Sequence, residues 1–323
     1  MVPLTIHFLI TDNEETIRLA LESTSGLPAK ILVASLNTRD KSVEICQEFG
    51  AEVVRIAERD RSKVRNYLLN HQSTTDWNLW LEPNEFIIQG QEAIRDIIET
   101  NNPAAFRVSL FDKEVITKQT RLWHKKQNLR FTNPVYEILT DVPAIPLPVS
   151  IWVGEIKDDR VAQLENWYKA KPADLEPNYY LACVRFSQQR YKDFLSLAEQ
   201  YVFRQSKMTV SNTMLRYYMG LVHCYITKNV SQALQQAIIC VAQHPLMAEF
   251  WCLMGDIHIQ INEYTKAISL YENAIMLGEK RIQDDEWPIH VAKYKAYPEE
   301  MMAKCQTFLN NSKILFGSEL PLP

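Results

Sequence analysis

The chain has 323 residues, of which 46% are apolar and 23% charged, and its formal net charge is -4. That length exceeds one ordinary core and argues for two domains, the scattered Lys and Arg exclude a nucleic-acid stripe, and no run of about 18 apolar residues offers a membrane span. The start, Met1-Val2-Pro3-Leu4-Thr5, enters a strand-like stretch without a basic leader, and the six cysteines include no Cys-x-x-Cys pair. Together these point to a cytoplasmic protein with buried free thiols.

In chain order, Leu4 to Ile10 reads as a strand, and Thr11-Asp12-Asn13-Glu14-Glu15 supplies the cap and first-turn acids of a helix carrying Ile17, Leu19, Ala20 and Leu21. Gly26-Leu27-Pro28 breaks the chain before a second strand, Lys30 to Ala34. The loop Ser35-Leu36-Asn37-Thr38-Arg39-Asp40 caps the next helix, Gly50 closes it, and Ala51 to Ile56 is a third strand. The pattern then predicts a helix over Arg61 to Gln72 and a fourth, buried strand over Trp77 to Leu81. Strands alternating with short helices predict an α/β domain with right-handed crossovers, whose ligands gather at the C-terminal strand ends. Those ends are Thr11 to Glu14, Ser35 to Asn37 and Glu82 to Glu85.

After a helix from Gly90 to Thr100, Ala104 to Phe111, Glu114 to Ile116 and Thr120 to His124 read as short strands at the edge of a mixed sheet. Proline-rich Val142 to Pro148 should be extended. From about Val161 helical periodicity takes over. Tyr217 and Trp251 lie 34 apart, as do Ala233 and Ala267, Ala237 and Tyr271, and Cys240 and Ala274. That is the tetratricopeptide period, with large residues filling a groove where small ones let paired helices approach. Two clear units are expected, a more divergent one over Asn178 to Phe186 and Tyr191 to Val202, and a helical cap around Pro298 to Phe316. Trp251 and Tyr271 read as core between paired helices.

The N-terminal half resembles the family 2 glycosyltransferases, and the whole chain resembles members in which a GT-A domain precedes tetratricopeptide repeats. The likeness runs through Asn13-Glu14-Glu15, Asp40 to Ile45, Gly50-Ala51, Arg65-Asn66 and Trp77 to Glu85, and resumes at Arg130-Phe131, Glu137 and Asn178 to Ala182. It implies a Rossmann-like mixed sheet domain over residues 1–155 and an α-helical repeat domain over 156–323. It also implies transfer of a sugar from a nucleotide-diphosphate donor to a protein, peptide or glycan acceptor, with a partner surface on the repeat face.

By resemblance, Thr11, Asn13, Glu14, Ser35, Asn37 and Arg65 would bind the nucleotide sugar. Glu82 and Asn84 would hold manganese or magnesium, and Glu137 would deprotonate the acceptor, with Asp112 as the second choice of base. The chain departs from the family pattern at this site. Ser35 replaces an acid, Glu82-Pro83-Asn84 replaces Asp-x-Asp, and Tyr136 and Trp152 stand where histidines are expected. The alternative is a catalytically degenerate transferase domain that acts as a scaffold, with the repeats binding a protein.

Overall fold

The computed structural model describes residues 3–100, 102–140, 142–155, 160–205, 207–278 and 287–316. The first two residues of the N-terminal segment lie outside these. Contacts divide the chain into two compact units, one running to Arg160 and the other starting at Val161, with a short piece ending at Ile289 clustering with the first.

The first unit begins β1 (Leu4–Ile10), α1 (Ile17–Glu22), β2 (Ala29–Ser35), α2 (Ser42–Glu48), β3 (Glu52–Arg55), α3 (Arg61–Tyr67) and β4 (Trp77–Trp80). β1 pairs in parallel with both β2 and β4, and β2 with β3. Every residue of β1 is buried, because an inner parallel strand has covered faces on both sides. α3 does not continue as an α-helix to Gln72. Its backbone widens into a π-helical turn over Leu68–Gln72, a local irregularity that apolar periodicity does not report.

The unit continues with β5 (Glu85–Gln89), α4 (Gln91–Ile98), β6 (Ala105–Asp112), β7 (Val115–His124), β8 (Phe131–Thr132), β9 (Ile138–Leu139) and β10 (Ala144–Val153). The sheet runs β3-β2-β1-β4-β7-β6-β10-β5 and is mixed, since β7 is antiparallel to both β4 and β6. Two expectations change here. The pieces expected at Glu114 to Ile116 and Thr120 to His124 form one ten-residue strand, β7, which turns back on β6 through Lys113 at φ 52°. These strands are also internal, and the outer edge belongs to β5, whose antiparallel partner is β10.

The second unit is helical: α5 (Val161–Ala170), α6 (Leu175–Ser187), α7 (Tyr191–Arg204), α8 (Val210–Tyr225), α9 (Val230–Gln243), α10 (Ala248–Gln260), α11 (Tyr264–Leu277) and α12 (Ala296–Phe316). Successive helices pair as hairpins, with small residues at the close approaches. A Cβ on Gly255 would lie 2.6 Å from the Tyr271 ring, so glycine at this place lets the phenol lie against the α10 backbone. Tyr271 is fully buried, whereas Trp251 is half-buried and donates its indole N–H to the Pro245 carbonyl at 2.7 Å. All six cysteines are free. Among the described residues no helix is long and apolar enough to cross a membrane.

Candidate functional site

The strand ends expected to bind ligand lie together at one end of the sheet. Ile10 pairs with Ser35, and the Leu81 amide donates to the His7 carbonyl, so the loops after β1, β2 and β4 leave from the same side.

The first two loops are stitched to each other. Asn13 accepts the Thr11 amide on its side-chain oxygen at 2.7 Å, and its own amide donates to Ser42 Oγ at 2.8 Å. The Glu14 amide donates to Asp40 at 2.8 Å, and Glu14 in turn accepts the Lys41 amide at 3.1 Å. Burial raises the Asp40 pKa, but hydrogen bonds from the Ser42 hydroxyl and the Glu14 and Ser42 amides lower it further, to a net decrease. Ser35 donates to Thr38 Oγ1 at 2.9 Å, and Asn37 adopts the left-handed turn that its short amide tolerates, at φ 51°. Thr11, Asn13, Glu14, Ser35 and Asn37 are therefore neighbours, and most of their polar groups shape the loops themselves.

The end of β4 is different, because charge is concentrated there. Glu82 opens a turn in which its amide donates to Glu85 Oε2 and the Glu85 amide returns to the Glu82 carbonyl, both at 3.0 Å. α3 presents Arg61 and Arg65, four residues apart on one face. Arg65 spans two acids, with Nη2 on Glu82 at 2.6 Å and Nε on Glu137 at 2.7 Å. Arg61 Nε joins it on Glu137 at 3.1 Å. Arg121 of β7 pairs with Glu85 at 2.6 Å. The guanidiniums of Arg65 and Arg121 lie 4.1 and 4.3 Å over the Trp80 ring, and Phe131 meets that ring edge-on.

This network decides what the acids can do. Glu137 has a side chain only 1% exposed. Burial pushes its pKa up, but Arg65 and Arg61 outweigh that and hold it down at about 2. A carboxylate held this low accepts a proton weakly, and the position of Glu137 explains the shift: it clasps the β8 and β9 segment onto α3. Asn66 reinforces the clasp by pairing both its amide groups with the Phe131 backbone, and Arg61 N–H reaches the Pro134 carbonyl. Glu85 is raised instead, because burial and the nearby Glu82 charge outweigh Arg121. Asp112, the other candidate base, is exposed at the β6 to β7 turn.

Glu82 and Asn84, the residues expected to hold a metal, are both engaged by other partners. Glu82 is held by Arg65, with Arg61 at 3.9 Å, and the Asn84 amide N–H donates to the Gly154 carbonyl at 2.6 Å. A divalent cation placed here would meet Arg65 and Arg61 and would have to displace them from Glu82, so these residues do not fit one. Among the described residues no three His, Cys, Asp or Glu are grouped to hold a metal ion. The space beside Arg65, lined by His7, Leu68, Trp80, Trp123 and Phe131 among others, is a cavity of about 10 Å³, room for no more than a single water. Trp152 is 36% exposed on β10, and Tyr136, at φ 52°, has the Arg160 guanidinium over its ring.

Arg61, Arg121 and Trp80 were not legible as site residues. The available signal was Arg61 one helical turn before Arg65, and a charged residue beside the apolar pair Leu122-Trp123 in a buried strand.

No family model matches the chain. A TPR repeat-containing protein of Synechococcus elongatus is 23% identical over 202 residues, covering 54% of this chain, and the chain spans about half the length of that curated relative. Among solved structures, MamA from Desulfovibrio magneticus overlaps 50% of this chain and 88% of its own at 18% identity and a TM-score of 0.35. Glucosyl-3-phosphoglycerate synthase from Mycobacterium tuberculosis, in complex with uridine diphosphate, overlaps 33% of this chain and 43% of its own at 14% identity and a TM-score of 0.27. At such scores neither decides the fold. The chain is a mixed-sheet unit joined to a unit of paired helices, and it is similar in part to a repeat protein.

Proposed function

We propose that the chain is a glycosyltransferase-like protein whose sheet domain, residues 1–155, is catalytically silent, and whose repeat helices, residues 156–323, bind a protein partner. One observation carries this reading. The two carboxylates that sugar transfer would need free, Glu82 and Glu137, are both held by Arg65 and Arg61 in a buried network. A leaving diphosphate needs a positive group with unspent charge, and an acceptor hydroxyl needs a base with a pKa near neutrality. Here the cations are neutralised and the base is held near 2.

The rival reading is an active transferase using a nucleotide-sugar donor with manganese or magnesium. The two separate in a melting experiment run beside a turnover assay. Millimolar UDP-sugars or GDP-sugars, with manganese, leave the melting temperature unchanged and release no nucleotide on the silent reading. A ligand at a hundred times its Kd would add about 2.7 kcal/mol, which is several degrees in a domain of this size. A shift of that kind, accompanied by nucleotide release, would reinstate the enzyme.

A further inference from the structure

The helical unit carries a buried acid that none of the foregoing uses. Asp256 follows Gly255 on α10 and is 2% exposed. With no Cβ at Gly255, the Tyr271 ring lies against the helix and its hydroxyl donates to Asp256 Oδ1 at 2.6 Å. Tyr297 of α12 donates to the same oxygen at 2.7 Å. Its proton being committed there, the Tyr297 oxygen accepts from Tyr225, whose hydroxyl lies 3.3 Å away at the end of α8. All three phenols are pushed up, by burial first and then by the Asp256 charge, so they stay protonated as donors.

The arrangement is incomplete by one partner. Every phenolic proton is taken, Asp256 Oδ2 has no hydrogen bond, and among the described residues no cation pairs with this carboxylate. A buried carboxylate oxygen without a donor is costly, and a cation that supplies one relieves the cost. The surrounding rings accept cations: the Lys293 ammonium lies 3.1 Å from the centroid of Tyr297. Tyr225 is 40% exposed and joins the cluster through its hydroxyl, so it is the side chain at the mouth of the site.

We propose that Asp256, ringed by Tyr225, Tyr271 and Tyr297, receives a lysine side chain from a partner polypeptide. An ammonium is a compact charge that needs one acceptor oxygen and tolerates ring faces around it, whereas an arginine fork seeks both carboxylate oxygens, and Oδ1 here already accepts two bonds. Tyr225 swings aside to admit it. This inference rests on the partner-binding reading of the helical unit and names the chemistry of that partner.

The test is a calorimetric titration of the full chain with three probes: capped tetralysine, the same peptide with all side chains acetylated, and spermidine. The lysine peptide saturates the protein below millimolar concentration, binding weakens with salt, and the acetylated peptide does not bind. Asp256→Asn keeps an oxygen for both tyrosine hydroxyls and weakens binding at least about tenfold, the scale of a desolvated charge contact. Tyr225→Phe removes the hydroxyl that ties the mouth to Tyr297 and so strengthens binding of the lysine peptide severalfold. Failure of the lysine peptide at millimolar concentration, or equal binding by Asp256→Asn, overturns the site. Spermidine binding as tightly as the peptide overturns the polypeptide in favour of a small amine. A defined protein partner that binds the chain and ignores Asp256→Asn removes this site while the partner-binding reading stands.

Discussion

Arg65→Met lowers the unfolding free energy by about 3–5 kcal/mol, the range for breaking a buried ion pair by removing one member. Arg65 is 3% exposed and joins Glu82 and Glu137 through two different nitrogens while lying over Trp80. Methionine fills much of the same volume but leaves Glu137 with Arg61 alone and Glu82 with a contact at 3.9 Å. Arg65→Lys restores the charge without the fork, so it cannot span both acids and recovers only part of the loss. Urea unfolding of the three proteins at neutral pH measures this directly. An Arg65→Met protein within about 0.5 kcal/mol of the parent, the range of ordinary surface substitutions, would mean that the network does not hold the domain together.

Acid unfolds the sheet domain in two steps with separate causes. His7 is buried and donates Nε2–H to Asn78 Oδ1 at 2.8 Å, and burial lowers its pKa from 6.5 to about 4. The unfolded chain therefore binds a proton that the folded one refuses, and stability falls as pH drops from 6.5 to 4. Glu137 acts lower down. Its folded pKa of about 2 lies below the ordinary 4.5, so its contribution is complete above pH 4.5 and is lost as pH falls toward 2. Each change corresponds to about 3 kcal/mol by linkage. Glu85 works in the opposite sense, because its raised pKa lets the folded state take up a proton first. Glu137→Gln should shrink the lower step, to which Asp40 also contributes, and keep the upper one. His7→Gln should do the reverse. Stability measured against pH from 7 down to about 2 by urea titration distinguishes them, and a single transition common to all three proteins would contradict the assignment.

Much of the architecture was legible because it depends on periodicity. The strands around Leu4, Lys30 and Trp77 announce themselves as apolar runs bounded by caps, and the 34-residue echo from Tyr217 to Trp251 marks paired helices. The continuity of β7 was hidden because its middle, Thr117 to Thr120, is polar and half-exposed, and pairing with β6 rather than burial keeps it extended. β5 was hidden because only half of it is covered.

The site was less legible for a different reason. Sequence reveals that Glu82 and Glu137 are acids but not what stands beside them. Their chemistry is set by Arg61 and Arg65, placed on the same face of α3 by helical spacing and brought to Glu137 by a contact spanning more than seventy residues. The same carboxylates with those arginines elsewhere would suit a cation. Asp256 is a similar case, since three tyrosines meet there from α8, α11 and α12.

The proposed loss of catalysis rests on Arg61 and Arg65 holding the carboxylates that a metal and an acceptor would need. It is tested most directly by calorimetric titration of the intact chain with UDP in the presence of manganese. The account predicts no binding heat at millimolar UDP, with or without the metal. Saturable binding that requires manganese and disappears in Glu82→Ala would contradict it, because Glu82 would then be holding the metal rather than its arginines.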